Sequence, residues 1–598
     1  MAESEIKAVP VPLYSKISIR NPSLGFPTNG TTGWNDAFSS NGWLETAATA
    51  GDDGSLFVKR PAFSVLNSSI LASGPGRGFV IMGPNQAIYA VIGSYLYLFT
   101  VSGSGGTVGP LGTSTGNVYS VTMPTGLGVS AGAVFQDGTY IYGLSNFGTP
   151  IFNTYRQWVS YTATFSGTTV TMPGTSVSYY VNDPVVFTTT GTLPSPLVSG
   201  NTYYIVSVGG VNTFSISASP GGTAITFSGA GTGTHTMTRQ GFDYASTTAL
   251  GTFFAPGIVE LDNVVYVAVG NRVYNSDPLT NQQLAYPGQA ANFSPNNYIT
   301  SSSDYGSIVG ITSYLNYIVA FHQNTVDFFY NAGNPTGPAN LGSILSPYAS
   351  ARVTVGCVNG ATIANGPNTV FWIGSNNGSG LSAYMFNGLT PQQISNPYVD
   401  RFLDADGCTT AFCWYQQVFG HKLYFVNLFN QNVTLVYDMT VQDWYIWTYY
   451  NSITNGVLPI TAATGLNVTI YGYLTLSQTN GWVYSMNKNV YNDFFNNSQT
   501  SIYFSSQTDR LDFGTNQPKF FGRWELVCDQ TPLSDAVVIY TSDNDAQTWQ
   551  GPRLVDPSLT RPRLYQNGSS SDRVWQVIYL GSQAMRFDNF EVDVSANR

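Results

Sequence analysis

The sequence predicts an all-β protein: a β-propeller of six or seven blades with an inserted small β-sandwich and a C-terminal β-domain. Three observations lead to this prediction. A chain of 598 residues is too long for one hydrophobic core unless it forms a ring or an array of repeats. Charged residues make up 9% and aromatic residues 14%, which favours strands over helices and argues against disorder. Paired short strands separated by turn residues recur along the chain.

The strand pairs supply the blades of the predicted propeller. They occur at residues 87–99, 138–143, 263–274, 317–330, 368–386, 422–438 and 468–485. Successive pairs begin roughly 50 residues apart, close to the period of blades that each contain four short strands. One gap, between the second and third pairs, is much longer than the others.

An inserted module explains this gap. From Trp158 to Thr238 the only charged side chain is Asp183, and alternating strands recur, which indicates a small β-sandwich within a blade loop. After about residue 500, arginines return and the strand spacing loosens. The predicted organisation is an N-terminal arm at 1–50, a first propeller part at 51–156, the inserted sandwich at 157–240, a second propeller part at 241–500 and the C-terminal β-domain at 501–598.

The charge balance excludes a protein that grips duplex DNA. The chain has 22 basic and 32 acidic side chains and a formal net charge of −10, whereas affinity for DNA depends on phosphate neutralisation by Lys and Arg. A neutral or acidic wall past which DNA slides is compatible with this balance. Residues 1–12 contain no apolar run, so we expect no signal peptide and assembly in a cytoplasm. The four cysteines, Cys357, Cys408, Cys413 and Cys528, are expected to be reduced thiols.

One motif resembles the Asp-box hairpin of sialidases, Ser-x-Asp-x-Gly-x-Thr-Trp. It runs from Ser542 to Trp549, with Ala546 at the glycine position. In sialidases the box is repeated and lies away from the catalytic centre, whereas here one copy is found. The motif predicts a structural hairpin, because glycoside hydrolysis needs paired carboxylates or a tyrosine nucleophile that it does not supply.

Other motifs suggest ligand sites only weakly. Asp404-Ala405-Asp406-Gly407 opens like a calcium loop but lacks the closing glutamate, and Asp52-Asp53-Gly54 is typical of a tight turn. The glycine-rich run at 103–107 has neither the following helix nor the lysine of a phosphate-binding loop. His235, His322 and His421 have no metal-ligand neighbours at useful spacing, and three glycosylation sequons begin at Asn67, Asn432 and Asn467 without a secretion signal. The sequence therefore predicts no catalytic, cofactor-binding or metal-binding residue and no cofactor.

Several segments resemble, in the same order, the packaged-DNA stabilisation proteins of short-tailed phages, the tail tubular protein B-like family of tail nozzle or hub proteins. They are found at residues 41–44, 57–61, 76–78, 88–97, 308–311, 317–321, 325–333, 356–358, 421–426, 435–438 and 444. Block 157–240 instead resembles a small β-module of phage tail and fibre proteins. The resemblance implies a virion structural protein that forms a homohexameric ring below the portal and adaptor, whose channel holds back and later passes double-stranded DNA. It implies no catalytic residues, and the residues that line the channel are unknown.

A rival hypothesis remains open at the level of sequence: a glycan-binding or glycan-degrading propeller of a tail spike. Trp372, Trp444, Trp447 and Trp482 could stack on sugars. They lie within apolar strand runs, which favours a role in packing between blades. A third hypothesis is an intracellular scaffold propeller that is absent from virions.

Overall fold

The structure of the chain, a computed structural model, is almost entirely β, and the predicted fold class is confirmed. It describes residues 7–13, 38–46, 55–66, 74–82, 87–99, 107–123, 132–145, 159–172, 181, 184–210, 212–219, 221–239, 243–244, 250, 253–276, 293–302, 306–334, 343–351, 353–375, 378, 380–451, 456–458, 460, 464–468, 472–495, 498–532, 535–544 and 546–596. The predictions on Asp52, Asp53, Asn67 and residues 103–106 lie outside the described residues.

Seven blades of four strands each form the propeller among the described residues, within the predicted range of six or seven: six are separate four-stranded sheets, and the seventh is the first four strands of a nine-stranded sheet. Five strands precede the first blade: β1 (Lys7–Pro12), β2 (Phe38–Ser40), β3 (Gly42–Thr46), β4 (Ser55–Lys59) and β5 (Ala62–Val65). Blade 1 consists of β6 (Gly76–Met82), β7 (Ala87–Ile92), β8 (Tyr95–Phe99) and β9 (Thr107–Pro110). Blade 2 begins with β10 (Tyr119–Met123), β11 (Gly132–Gln136) and β12 (Ile141–Ser145).

The inserted module lies between the third and fourth strands of blade 2. It contains β13 (Val159–Ser166), β14 (Thr169–Thr171), β15 (Pro184–Thr189), β16 (Thr202–Gly210), β17 (Thr213–Ser217) and β18 (His235–Arg239). Strand β18 pairs with both β13 and β15, so the six strands form one closed barrel instead of the two separate sheets of the predicted sandwich. Closure leaves no free sheet edge in the module. Blade 2 is then completed by β19 (Asp243–Tyr244), which pairs with β12.

Blades 3 to 5 follow without long insertions among their described strands. Blade 3 contains β20 (Val259–Leu261), β21 (Val264–Val269), β22 (Arg272–Ser276) and β23 (Phe293–Thr300). Blade 4 contains β24 (Gly310–Tyr314), β25 (Tyr317–Phe321), β26 (Val326–Asn331) and β27 (Leu345–Pro347). Blade 5 follows a short 3₁₀ helix (Gly360–Thr362) and contains β28 (Ala364–Gly366), β29 (Thr369–Gly374), β30 (Ser382–Asn387) and β31 (Thr390–Gln393).

An α-helix, α1 (Pro397–Asp406), connects blades 5 and 6. Asn396 caps its N-terminus by accepting hydrogen bonds from the backbone N–H groups of Tyr398 and Val399, and Pro397 occupies the first turn. Gly407 ends the helix at a φ of 72°, a left-handed conformation that glycine adopts without a Cβ clash. The helical segments in the described part of the chain are too short or too polar to cross a lipid bilayer.

Blades 6 and 7 are followed by the C-terminal strands. Blade 6 contains β32 (Phe412–Val418), β33 (His421–Leu428), β34 (Val433–Asp438) and β35 (Asp443–Trp447), and a hairpin of β36 (Tyr449–Asn451) and β37 (Gly456–Leu458) follows it. Blade 7 contains β38 (Thr464–Val468), β39 (Gly472–Leu476) and β40 (Val483–Asn487). A hairpin of β41 (Asn492–Phe495) and β42 (Ser498–Ser501) comes next. The remaining strands are β43 (Phe504–Gln507), β44 (Lys519–Cys528), β45 (Val537–Ser542), β46 (Gln550–Val555), β47 (Arg563–Leu564), β48 (Ser569–Ser570), β49 (Val574–Tyr579) and β50 (Arg586–Ala596).

The propeller closes with a strand from the beginning of the chain. Strand β5 pairs antiparallel with β40, with Ala62 opposite Asn487, and supplies the fourth strand of blade 7. A hydrophobic cluster that includes Phe79 and Ile88 of blade 1 and Leu474 of blade 7 joins the last blade to the first. Similar clusters fill the other blade interfaces. Hydrophobic packing therefore continues around the whole ring.

The segment predicted as an N-terminal arm adds strands to the C-terminal unit, so the predicted division into 1–50 and 501–598 does not describe separate structures. Strand β1 pairs with β50, and β3 pairs with β4, which in turn pairs with β50. Strand β2 lies between β35 of blade 6 and β43. A nine-stranded sheet results, in the order β32-β33-β34-β35-β2-β43-β49-β45-β46. This sheet needs strands from both the N-terminal and the C-terminal parts of the chain, because β2 bridges the edges of β35 and β43, which would otherwise be unpaired.

The second sheet of the C-terminal unit packs on the outer half of the nine-stranded sheet. It contains β3, β4, β50, β44 and β47, with β1 and β48 pairing alongside. Trp524 and Phe590 from this sheet and Trp575 from the other share one core with Phe425 and Trp447 of blade 6. The C-terminal unit is thus a two-layer β structure whose core is continuous with that of the propeller.

Candidate functional site

A cavity of ≈ 260 Å³ lies among the first strands of blades 2 to 6. Its lining includes Asn117, Ser120, Thr312, Asn365 and Tyr415, and the Thr312 hydroxyl donates to Asn365 Oδ1 at 2.6 Å. None of the described residues that line this cavity is charged. Glycoside hydrolysis by the usual route needs two carboxyl groups, one on either side of the glycosidic bond. The uncharged described lining supplies no such pair.

A serine, a histidine and an aspartate meet between blades 3 and 4, although no local sequence pattern indicates this cluster. Ser301 follows β23, and its Oγ lies 2.7 Å from Nε2 of His322 and within hydrogen-bond distance of Asp327 Oδ2. The serine stands between the other two residues, whereas a catalytic triad places histidine in the middle. Ser301 is 1% exposed and His322 is fully buried. The cluster therefore ties two blades together and presents no nucleophile to a substrate.

The other two histidines also have structural partners. His421 Nδ1 lies 2.5 Å from Asp438 Oδ2 across the β33–β34 pair, and the His421 ring packs 4.9 Å from the ring of Trp43. His235 in the barrel lies 2.9 Å from Thr189 Oγ1. The three histidines occupy separate parts of the fold, and among the described residues no three His, Cys, Asp or Glu side chains are grouped as metal ligands.

The calcium-like motif forms the end of α1 and not an ion-binding loop. Asp404 Oδ1 accepts the backbone N–H of Leu381 at 2.6 Å. Asp406 accepts the N–H groups of Cys408 at 3.2 Å and Asn430 at 2.9 Å. Backbone amides therefore occupy these carboxylate oxygens, and Gly407 serves as the helix cap.

The tryptophans considered as sugar platforms are buried. Trp372 and Trp447 are fully buried, and Trp444 and Trp482 are nearly so. The Trp372 indole N–H donates to Gly356 O at 3.1 Å, and Trp447 donates to Gly42 O at 3.1 Å. These rings fill blade interfaces and offer no open face for stacking on a glycan. The four cysteines are free thiols, and all but the half-buried Cys528 are buried.

The Asp-box-like segment forms the predicted hairpin at the end of β45. Asn544 Oδ1 accepts the backbone N–H of Thr548 at 2.9 Å, and the Ser542 hydroxyl accepts that of Ala546 at 3.0 Å. Asp543 receives two hydrogen bonds from Arg573, at 2.6 and 2.9 Å. The side chains of Ser542, Asp543 and Asn544 thus hold the turn or its base, which is a structural role.

Ala546 offers a direct test of this turn. It occupies the glycine position of the motif with a φ of 60°, where a Cβ is unfavourable. We expect Ala546→Gly to raise the free energy of unfolding by about 1 kcal/mol, because glycine adopts this conformation readily. Urea unfolding followed by tryptophan fluorescence measures the change. Ala133→Gly, in the middle of β11, is the control and should destabilise the protein; an equal loss in both variants would contradict the prediction.

A buried polar junction holds the propeller to the C-terminal unit. The Arg60 guanidinium, between β4 and β5, donates to both carboxylate oxygens of Asp493, at 2.8 and 2.6 Å. It also donates to Asn41 Oδ1 at 3.1 Å and to the carbonyl of Thr448 at 3.0 Å. Arg60 is fully buried and the Asp493 side chain is 1% exposed. The junction therefore joins the β2–β3 turn, the end of blade 6 and the β41 hairpin around one ion pair.

Lys59 lies beside this junction, and its shifted pKa predicts that the free energy of unfolding depends on pH. Burial lowers the pKa of Lys59 from 10.5 to about 7, although its ammonium donates to Gly581 O at 2.6 Å. Between these two pKa values Lys59 is protonated in the unfolded chain and largely neutral in the folded chain, so the unfolded chain binds more protons than the folded one. This group therefore makes the free energy of unfolding rise as the pH increases from about 7 to 10.5, by at most about 1.4 kcal/mol per pH unit. Urea titrations across this window should show a smaller rise for Lys59→Met than for the wild type. Identical slopes would contradict the prediction.

The outer face of the C-terminal sheet carries a network of charges. Glu525 on β44 accepts hydrogen bonds from Arg561 at 3.0 Å and Arg563 at 2.6 Å. Burial alone would raise the pKa of Glu525, but the hydrogen bonds from these two arginines outweigh it and hold the pKa below its ordinary value. Arg523 lies between Glu525, Glu591 and Asp593. Such a network holds several long side chains in fixed orientations on the surface.

Comparison with known proteins identifies the family to which the chain belongs. The family model described as bacteriophage P22 Gp10, beta-propeller, matches residues 158–491, more than half of the chain. The match covers the barrel and runs through blade 7. No curated protein matches the chain.

Two solved structures illustrate how distant the structural similarities are. BBS1N in complex with ARL6DN, soaked with lead, is 12% identical with a TM-score of 0.23, covering 72% of this chain and 98% of that chain. The exo-beta-1,3-galactanase of Phanerochaete chrysosporium is 11% identical with a TM-score of 0.21, covering 68% of this chain and 100% of that chain. TM-scores this low carry no inference about activity.

Proposed function

Since the chain belongs to the family of the bacteriophage P22 Gp10 β-propeller, we propose that it is the tail nozzle or hub protein of a short-tailed phage. In this proposal six copies form a ring below the portal and adaptor. The ring retains packaged DNA in the virion and forms the channel for ejection. The observation that carries the proposal is the family match over residues 158–491.

The electrostatics of the chain support a conduit. A net charge of −10 gives the ring an acidic character, and an acidic wall repels the phosphates of a passing duplex. Tight binding would slow ejection, because each phosphate contact has to be broken as the DNA advances. The proposal therefore includes contact with double-stranded DNA without sequence-specific binding.

The buried polar clusters favour a structural role over catalysis. Ser301, His322 and His421 are buried, and the cavity among blades 2 to 6 has a neutral lining among the described residues. The rival function, a propeller that binds or degrades glycans, would need exposed aromatic rings or accessible carboxylate pairs. The four candidate tryptophans are buried, so they offer the rival no surface for stacking on a glycan.

Electron microscopy of the purified chain and of isolated tails tests the proposal. We expect sixfold rings around an open channel, and we expect the chain in the peptide map of purified particles. A monomer or trimer that releases sugars from host surface glycans would support the rival instead. Absence of the chain from purified particles would support a scaffold function and overturn the nozzle proposal.

A further inference from the structure

The cavity among blades 2 to 6 is large enough for one small ring-shaped molecule. Its volume of ≈ 260 Å³ lies just below the range of about 300–1,000 Å³ that is usual for pockets that hold small-molecule ligands. A water molecule takes up about 30 Å³ in the liquid, so the space exceeds what a single bridging water needs. The cavity is therefore a candidate binding site, and its lining determines which ligands fit.

The lining of this cavity has a tightly packed part and a part that solvent reaches. A Cβ on Gly360 would lie 2.2 Å from Val309 O and 2.8 Å from Pro256 Cβ, so blade 5 touches blades 3 and 4 at this glycine. Asn365, in contrast, is exposed although it also lines the cavity. A small molecule can therefore enter on the side of Asn365.

The lining favours a neutral ligand. None of the described residues that line the cavity is charged. An ionised group that leaves water needs an opposite charge or several hydrogen bonds to replace its hydration, so this lining disfavours carboxylates, phosphates and amines. The net charge of −10 disfavours anions further. We therefore expect a ligand without ionised groups.

Hydroxyl and amide groups give the cavity both donors and acceptors. The Thr312 hydroxyl donates to Asn365 Oδ1 at 2.6 Å, which leaves the lone pairs of Thr312 and the amide N–H groups of Asn365 for a ligand. Ser120 donates to Phe79 O at 2.9 Å, so its oxygen can also accept. Asn117 adds a second amide to the lining. A ligand with several hydroxyl groups matches this set, because each hydroxyl both donates and accepts.

Tyr415 adds an aromatic ring to the lining. Its hydroxyl oxygen is buried, whereas the residue as a whole is half-buried, so the accessible part of its side chain is the ring. The ring of Phe371 stacks beside it, with centroids 6.2 Å apart and an interplanar angle of 10°, and this contact fixes its orientation. Ile258 and Ile363 add aliphatic surface. The C–H groups of a sugar ring pack well on such a wall.

We propose that this cavity binds one neutral pyranose sugar, with its ring packed on Tyr415 and its hydroxyl groups hydrogen-bonded to Asn365 and Thr312. The site binds sugar without cleaving it, because the described lining supplies no carboxyl pair. The inference goes beyond the proposed function, which requires no sugar. A free monosaccharide and the terminal sugar of a surface glycan present the same chemistry to the cavity, and the last of the experiments below separates these two sources.

Titration of the full chain with neutral monosaccharides tests the site. The probes are glucose, galactose, mannose and N-acetylglucosamine, and saturation-transfer difference NMR detects their binding. We expect saturable binding of one or more of these sugars, and weaker binding of the uronic acid that corresponds to the bound sugar. Absence of binding by all the probes would mean that the cavity holds only water. That result, or equal binding of the uronic acid, would overturn the proposal.

Two substitutions locate the binding. Asn365→Ala removes an exposed amide, so the fold is retained, and it should raise the dissociation constant about tenfold through lost hydrogen bonds to the sugar. Tyr415→Leu removes the ring and should also weaken binding, although the Tyr415 hydroxyl has no hydrogen-bond partner to lose among the described residues. Asn387→Ala, at an exposed site of the same blade outside the cavity, is the matched control and should bind like the wild type. Normal binding by both cavity variants, or an equal loss in the control, would overturn the proposal.

A carrier protein that displays the bound sugar separates the two sources. Capture of the wild-type chain by this carrier, lost with Asn365→Ala, would support the site and identify the end of a glycan as its ligand. Binding of the free sugar without capture would support the site and identify a free monosaccharide. Failure of the sugar proposal leaves the nozzle proposal standing, because ring formation and presence in particles are measured independently.

Discussion

Replacing Arg60 with alanine is expected to lower the free energy of unfolding by about 3–5 kcal/mol, because it leaves the carboxylate of Asp493 buried and uncompensated. Asp493 also accepts the backbone N–H of Phe63 at 2.9 Å, so it cannot turn towards solvent without breaking a second contact. Asn41 Oδ1 would lose one donor as well. Urea unfolding measures the loss, and limited proteolysis should cut near β5 and β41 first.

An exposed ion pair of the same geometry provides the control. Arg586 donates to both oxygens of Asp529 at 2.8 and 2.9 Å, but its side chain is 51% exposed. Arg586→Ala should cost less than about 1 kcal/mol, because solvent replaces the lost contacts. Equal losses for the two alanine variants would show that burial does not determine the strength of the Arg60 junction.

Replacing Trp575 with alanine is expected to cost about 3–5 kcal/mol through lost apolar burial and the cavity that remains. Trp575 is 1% exposed, and its ring centroid lies 5.3 Å from that of Phe521 and 5.4 Å from that of Phe590. These rings come from both layers of the C-terminal unit, so the deletion should loosen the packing of one sheet on the other. The midpoint of unfolding should fall accordingly.

Phe253→Ala provides the matched control for Trp575→Ala. It also deletes an aromatic side chain, but one that is 80% exposed, so its effect should stay within about 0.5 kcal/mol. A small effect of Trp575→Ala would mean that the core relaxes around the gap. Near-ultraviolet circular dichroism of the folded variant would then show altered aromatic packing.

The individual blades could be predicted from sequence because their signals are local. The pair 87–99 consists of two apolar runs separated by Gly93 and Ser94, and it folds as β7 and β8 with Ile88 opposite Phe99. Helix α1 is not among the predicted elements, although Asn396-Pro397 and Gly407 are recognisable start and stop signals of a helix. Residues 404–407 resemble the opening of a calcium loop only in their acidic pair, and Gly407 is the helix cap.

Pairings between distant segments could not be predicted, because a strand pattern does not identify its partner. Nothing around Ala62 indicates that it pairs with Asn487, and nothing around Phe38 indicates that β2 bridges β35 and β43. The same holds for Ser301, His322 and Asp327, which come from two blades. Barrel closure in the inserted module depends on β18 pairing on both edges, which alternation alone does not specify.

The closure of the ring by β5 also determines when folding can finish during synthesis. Its partner, β40, ends at Asn487, so the first residues of the propeller must wait on the ribosome for most of the chain to be translated. During that time β5 remains without its partner, and it is open to pairing with a neighbouring nascent chain. Folding should therefore be slow and sensitive to chaperones that shield strand edges until translation ends.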